Sequence, residues 1–531
     1  MLNIKEFIIK YKIRIVLALI LLLAAYFRFH GLIIQGGVIN GDDESFLNIA
    51  KSFRNSFEFF KNFVANGFDT SNIRDGAKEF FSGSFRDYTF ARPGYILLIT
   101  IPTLFLGVQD YIPTILNAIL SLITIYLVYK VTFEITGKHK IGLLASLLLT
   151  ISGYSVFFAR TGLSQTTAAF FLMLGLLFYF YTWNESKNTK RYLKLSALVF
   201  GFTITVHYST FLFFGIIGIF EIVQALRKKK LKERLKILIP YALPFIILFQ
   251  TLTYIKLRVF QSWNFQAKYF TYLEEIKHIY TIIPDFADRY TVNDSIFQYF
   301  KFMNVYDSII IVSLFVLSLV LFIIKKWWRN DNYTFIFALT YIPFIVYSLI
   351  KLRISYNLAT LLPLIAIVCS FGVFGLINYI KVKNIRIILG SVILVVIMFF
   401  GLKTAYTFSN FDNPYDDAAN FLQSQSKEIK EICGTRNGAE NVKFYLDDYS
   451  INSQMTDEEC FKAQYVILSW ETSYVPIQLE QWSKFVSENT PIKIFEHPYY
   501  NYICNEIGWL ESEEACLINS SLRIYENNND L

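Results

Sequence analysis

Three acids in a row, Asp42, Asp43 and Glu44, follow Gly41 and stand before the apolar residues Phe46, Ile49, Ala50, Phe53, Phe57, Phe60 and Val64. A carboxylate so placed can take the proton of a hydroxyl nucleophile or hold a divalent cation against a phosphate. One Asp at a helix start is enough to cap free N–H groups and to suit the macrodipole. Three exceed what one cap needs. The apolar spacing of three and four draws a single stripe, which predicts a helix along a membrane surface with the acids at its amino-terminal end.

The elements that must position these acids are apolar. Of 531 residues, 54% are hydrophobic, 18% aromatic and only 17% charged. A water-soluble globule is nearer a quarter charged, so a soluble enzyme, a disordered chain and a nucleic-acid module are poor fits. Apolar runs near 13–32, 112–130, 141–158, 164–182, 192–207, 209–226, 237–255, 306–324, 333–350, 357–379 and 385–402 are long enough, or nearly so, to cross ~30 Å of hydrocarbon. They predict a polytopic α-helical membrane protein with about eleven spans, its first span retained and not cleaved as a signal peptide. Gly94 to Gly107 is shorter and contains Pro102, so it reads as a re-entrant or interfacial helix.

With that run in the interface, the basic loops Lys130 to Lys140, Lys187 to Lys194, Arg227 to Lys236, Lys325 to Arg329 and Lys381 to Arg386 share the side of Lys5, Lys10, Lys12 and Arg14. The positive-inside rule then places the amino terminus in the cytoplasm of a multi-pass cell-membrane protein and the carboxyl terminus outside. The net charge of +8 is thus a topology signal and does not imply nucleic acid. Residues 1–409 form the expected membrane domain, with outer loops at 33–93 and 256–305. Residues 410–531 form an expected extracytoplasmic α/β domain, because composition there shifts to 8 basic and 21 acidic residues.

Within the tail, Asn413 to Ile432 reads as a helix, Val442 to Leu446 and Tyr465 to Trp470 as buried strands, Ile477 to Val486 as a helix, and Ile492 to Phe495 and Leu522 to Tyr525 as strands. Cys433, Cys460, Cys504 and Cys516 lie here, and four cysteines allow three connectivities. The neighbouring pairs Cys433 with Cys460 and Cys504 with Cys516 are expected, in keeping with an oxidising compartment. Cys369 reads as a small packing residue. Asn293 and Asn519 begin glycosylation-type triplets.

Arg160, at the outer end of a span, is either a site residue or an interfacial anchor. His207 and Tyr208 fit an aromatic belt. Lys351 and Arg353 break the positive-inside pattern, which points Arg353 toward function. Trp263, Tyr269, Tyr272, Tyr280 and Arg289 of the second loop are either a wall of a lipid groove or interface anchors. No Walker loop, zincin helix or nucleophile elbow is present, and the five His residues lack metal spacing.

The order Asp42-Asp43-Glu44 with Phe46 and Ala50, Arg92-Pro93-Gly94-Tyr95, Phe105-Leu106-Gly107, Gly137 to Ser146, Phe157-Phe158-Ala159-Arg160 with Leu163, then Arg353, Tyr356 and Leu361-Leu362-Pro363 resembles glycosyltransferase family 39. That family groups integral-membrane C-type glycosyltransferases, among them protein O-mannosyltransferases and aminoarabinose transferases. The resemblance implies an inverting hexosyltransferase that moves a sugar from a polyprenyl-phosphate carrier to a hydroxyl of a protein, glycan or lipid on the outer face. It places the family's paired acids on Asp42 and Asp43, or one register on, at Asp43 and Glu44. Asp42 is then the general base and Asp43 orients the acceptor or an ion. Arg92, Arg353, Arg160 and Tyr356 become candidates for the donor phosphate.

Where many members carry a second acid after the third span, this chain has Ser164-Gln165. A neutral amide does not replace a carboxylate on a divalent cation. Metal dependence, on Mg²⁺ or Mn²⁺, is therefore open, and cation-free catalysis with arginines on the phosphate is preferred. The rival function, a transporter or lipid-linked sugar flippase, calls for charges within spans and paired repeats. Here the charges collect at outer ends and no repeat is visible.

Overall fold

The computed structural model describes residues 4–32, 41–65, 92–183, 188–261, 297–349, 355–411, 414–425, 429, 431–434, 436–446, 460–468, 484–496 and 521–526. Each of the eleven expected spans carries a helix. They are α1 (Ile4–Phe29), α4 (Tyr111–Thr136), α5 (His139–Thr150) with α6 (Gly153–Ala159), α7 (Ser164–Trp183), α8 (Thr189–Val206), α9 (Phe211–Arg227), α10 (Leu231–Gln261), α12 (Ile309–Ile324), α13 (Asp331–Leu349), α14 (Leu362–Ile377) and α15 (Lys383–Ser409). By length and composition, five of the described helices can cross a membrane, or six if the bent pair α5 and α6 counts as one span. The chain is a multi-pass membrane protein.

Between these run α2 (Gly41–Ala65), α3 (Pro93–Leu106) and α11 (Gln298–Tyr306). The surface helix expected behind the acids is α2. Helix α3 has 14 residues, about 21 Å at 1.5 Å each, which is shorter than the hydrocarbon. Helix α14 is apolar and buried on nearly all sides, as befits a central element. By contrast α15 leaves most of its apolar surface outward, where lipid is as good a partner as protein. Helix α4 stops at Gly137, whose φ of 66° suits a residue without a side chain.

The expected single span 141–158 is broken. Helices α5 and α6 meet at a 63° bend around Ile151 and Ser152, and the Ser152 hydroxyl caps α6 by accepting from Ser155 N at 3.0 Å. Hydropathy averages over such a break, because the apolar residues continue across it.

In the tail, β1 (Ile432–Gly434), β2 (Tyr465–Leu468), β3 (Lys493–Glu496) and β4 (Ser521–Glu526) form one sheet in the order β1-β2-β4-β3. The β1–β2 pair is parallel, Cys433 opposite Val466, and the others are antiparallel, Val466 opposite Tyr525 and Phe495 opposite Leu522. Helices α16 (Pro414–Ser424) and α17 (Arg436–Leu446) cover one face, where Tyr415, Ala419, Leu422, Ala439 and Val442 pack on Tyr465, Ile467, Leu522 and Ile524. The alternate residues Val466, Leu468 and Tyr525 face the other way, with Cys433, Cys460 and Phe485, as a period of two requires.

Two expectations in this region are corrected. Val442 to Leu446 is the end of helix α17, since Ala439, Val442 and Leu446 recur at helical spacing and pack together, a pattern hidden in a short apolar run. The helix expected to reach Ile432 stops at Ser424, and Ile432 is in β1. The disulfide Cys433–Cys460 is formed. Cys504, Cys516, Asn293, Asn519 and the second-loop aromatics lie outside the described residues.

Candidate functional site

The acids Asp42, Asp43 and Glu44 occupy the first turn of α2; their side chains, like Arg353, lie outside what is described. One turn further, Phe46, Ile49 and Ala50 are fully buried and pack on Tyr95, Ile96 and Ile99 of α3, with Ala168 of α7 and Val206 of α8. Arg92, immediately before α3, is 5% exposed, and its guanidinium carbon lies 5.2 Å from the centroid of the Phe46 ring. This cation–π contact fixes a desolvated arginine one turn from the acids. Arg92 also lies within electrostatic range of His207. A Cβ on Gly94 would overlap Thr205, so only glycine lets the start of α3 meet the end of α8.

Tyr95 ties this pair to the membrane helices. Its ring meets Phe46 edge-on at 5.1 Å, and its hydroxyl donates to the Gly162 carbonyl. Asn117 of α4, absent from the sequence reading, holds the same loop: its Nδ2 donates to the carbonyls of Thr161 at 2.7 Å and Leu163 at 2.8 Å. Its Oδ1 accepts from Thr167 at 2.6 Å. The signal for Asn117 was a lone amide inside the apolar run 112–130.

Arg160 opens that loop and is 4% exposed. Its Nη1 donates to the His30 carbonyl at 2.7 Å, joining the loop to the end of α1 and so to the chain that enters α2. The structure thus links Arg92, Arg160 and the acid turn through Tyr95 and the 160–163 loop. Tyr356 is half-buried in the 3₁₀ turn Ser355–Leu361, on the other side of α7. From that turn Thr360 donates to the Gln165 carbonyl at 3.5 Å.

Arg28 was also missed. It is completely buried in α1. It donates to the carbonyls of Leu149 at 3.2 Å and Thr150 at 3.3 Å, and to the hydroxyls of Ser121 at 2.8 Å and Ser155 at 2.9 Å. Those carbonyls are freed by the break between α5 and α6. On the other side of the break, Asp307 accepts from Tyr154 N at 3.1 Å. Each buried charge therefore meets the helix end of opposite dipole sign.

The tail reaches the same surface. Helix α17 packs on α2, and the Tyr445 hydroxyl donates to Asp110 Oδ2 at 3.0 Å, just before α4. Burial raises the Asp110 carboxyl above its ordinary value of 3.8, against the lowering effect of the Tyr445 bond.

Residues 92–254 match the family model for dolichyl-phosphate-mannose-protein mannosyltransferase. No curated protein matches the chain. Among solved structures, the oligosaccharyltransferase of Archaeoglobus fulgidus tethered with an acceptor peptide is 12% identical with a TM-score of 0.59, over 93% of this chain and 74% of its own. ArnT from Cupriavidus metallidurans bound to undecaprenyl phosphate is 10% identical with a TM-score of 0.55, over 97% of this chain and 98% of its own. The fold is that of the C-type glycosyltransferases. Within this C-type fold, the matched family segment opens at Arg92, the residue seated over Phe46.

Proposed function

We propose that the chain is an inverting glycosyltransferase that moves a hexose from a polyprenyl-phosphate carrier to a hydroxyl acceptor at the outer membrane face. The observation that supports this reading is Arg92 over Phe46: a desolvated guanidinium, of the kind that binds phosphate, packs on the helix whose first turn carries the three acids. Asp42 takes the proton from the acceptor hydroxyl as its oxygen bonds to the anomeric carbon, and the carrier phosphate leaves from the opposite face with the electron pair. Asp43 orients the acceptor. Arg92, with Arg353 and Arg160, receives the charge that develops on the leaving phosphate, and Tyr356 borders the same donor groove.

A divalent cation shared between the acid turn and the start of α7 does not fit, because Ser164 and Gln165 bring no charge there. No step here depends on one. About eleven spans, with the amino terminus cytoplasmic, put the acid turn, Arg160 and the 410–531 domain outside. The Cys433–Cys460 disulfide supports that side for the tail. The family match and the fold favour this enzyme over a flippase.

The test is transfer of labelled hexose from polyprenyl-phosphate-hexoses in membranes holding wild type, Asp42→Asn or Asp43→Asn. Loss of the general base should cost about 10²–10⁴-fold in kcat with expression unchanged. Full activity in both variants would sink the assignment of the acids.

A further inference from the structure

The first turn of α7 carries four polar side chains, and they divide into two pairs. Thr166 donates to the Phe158 carbonyl at 2.8 Å and Thr167 to Asn117 at 2.6 Å; these two serve the local structure. Ser164 and Gln165 do not. Both are buried, at 0% and 1% exposure. The Ser164 hydroxyl and both amide atoms of Gln165 have no hydrogen-bond partner among the described residues. Three unsatisfied polar atoms on adjacent residues are costly to keep dry, and they lie where the free N–H groups of a 20-residue helix also point outward.

Their direction follows from the helix period. Ser164 lies four residues before Ala168 and shares its face, and Ala168 packs against Phe46 and Tyr95. The neighbouring face of α7, with Thr166 and Ala169, lines a cavity with Ala359 of the 3₁₀ turn, and by the helix period Gln165 lies between that face and the face of Ala168; its backbone carbonyl accepts from Thr360 of the same turn. Ser164 therefore stands toward the acid helix, and Gln165 between that side and the turn assigned to the donor groove.

We propose that Ser164 and Gln165 form the subsite for the hydroxyls of the donor sugar, an inference that rests on the function proposed above. The amide of Gln165 decides the chemistry. Its Nε2 needs an acceptor and its Oε1 needs a donor. An ionised carrier phosphate has acceptors only and would leave Oε1 facing another oxygen, whereas a sugar hydroxyl offers both. An acceptor hydroxyl has the same chemistry, so the experiment separates the two sources.

The variants Gln165→Leu and Ser164→Ala are assayed for transfer from undecaprenyl-phosphate-mannose, varying donor and acceptor in turn, with undecaprenyl phosphate alone as competitor. Wild-type transfer is the control for the proposed function; its absence would count against that reading and not against the subsite alone. With transfer present, Gln165→Leu should raise the donor KM about tenfold, the equivalent of one lost hydrogen bond to a buried partner. It should leave the acceptor KM and inhibition by undecaprenyl phosphate unchanged. The apo variant should melt at the same temperature as wild type or higher, because an unsatisfied group has been removed. The melting shift given by undecaprenyl-phosphate-mannose should fall to that given by undecaprenyl phosphate. An unchanged donor KM, a rise in acceptor KM alone, or equal weakening of both lipid ligands would each overturn the proposal.

Discussion

The α5–α6 break and the α2–α3 contact both place polar groups among apolar ones, yet they are held in opposite ways. At the break, every freed group named above meets a hydrogen-bonding partner: Arg28 on the carbonyls, Asp307 and Ser152 on the amides. At α2–α3 the fixing contacts are rings, aliphatic side chains and a guanidinium over Phe46. Hydrogen bonds in a dry interior are directional and have few alternatives. Packed rings tolerate small shifts. The break thus belongs to the rigid frame, and the contact of α2 with α3 to a surface that tolerates small shifts.

The strongest challenge to this division is Arg28→Met, which strips the break of its cation and leaves buried carbonyls unmet. It should cost about 3 kcal/mol of stability, read as a lowered unfolding temperature in detergent. Arg28→Lys should recover only part, since an ammonium lacks the guanidinium fork. An unchanged melting temperature in Arg28→Met would show that the break supports itself.

Asn117→Leu attacks the link between frame and surface. Losing the bonds to Thr161 and Leu163 should cost about 2 kcal/mol, and the displaced loop should lower kcat more than donor KM. Equal activity at equal donor concentration would disconnect the 160–163 loop from the chemistry.

The smallest effect is expected where the tail meets α2. Tyr445→Phe removes one bond to Asp110 and should cost no more than about 1 kcal/mol. Because burial raises the Asp110 carboxyl above 3.8, the folded state keeps this proton to a higher pH than the unfolded chain does. The associated stability is complete below 3.8 and is lost as pH climbs through the folded value. A distance measurement between labels on α2 and α17 should report loosening over that window in wild type. Asp110→Asn, which keeps an acceptor for Tyr445 and does not titrate, should not loosen.

The sequence made much of this legible. The α2 stripe, the short α3 and the helices of the spans follow from periodicity and length, and the ordered motifs from Asp42 to Pro363 carried the resemblance to glycosyltransferase family 39, part of which a family model matches at 92–254. What stayed hidden is where a local rule gives way to a distant partner. The break at Ser152 is invisible to hydropathy, and its stability comes from Arg28, more than a hundred residues away. Val442 to Leu446 has the composition of a strand, and only the sheet it packs on selects its helical face. Asn117 has the composition of a span residue, and its role depends on carbonyls 44 and 46 positions distant.

The Tyr445–Asp110 bond joins positions 335 residues apart, and this has a consequence during synthesis. A ribosome has inserted almost every helix of the membrane domain before Tyr445 emerges. The acid helix α2, among the earliest segments made, therefore waits for one of the latest to pack against it. A nascent chain halted before α17 would present α2 without this partner, so the contact between the tail and α2 forms in a single late docking event.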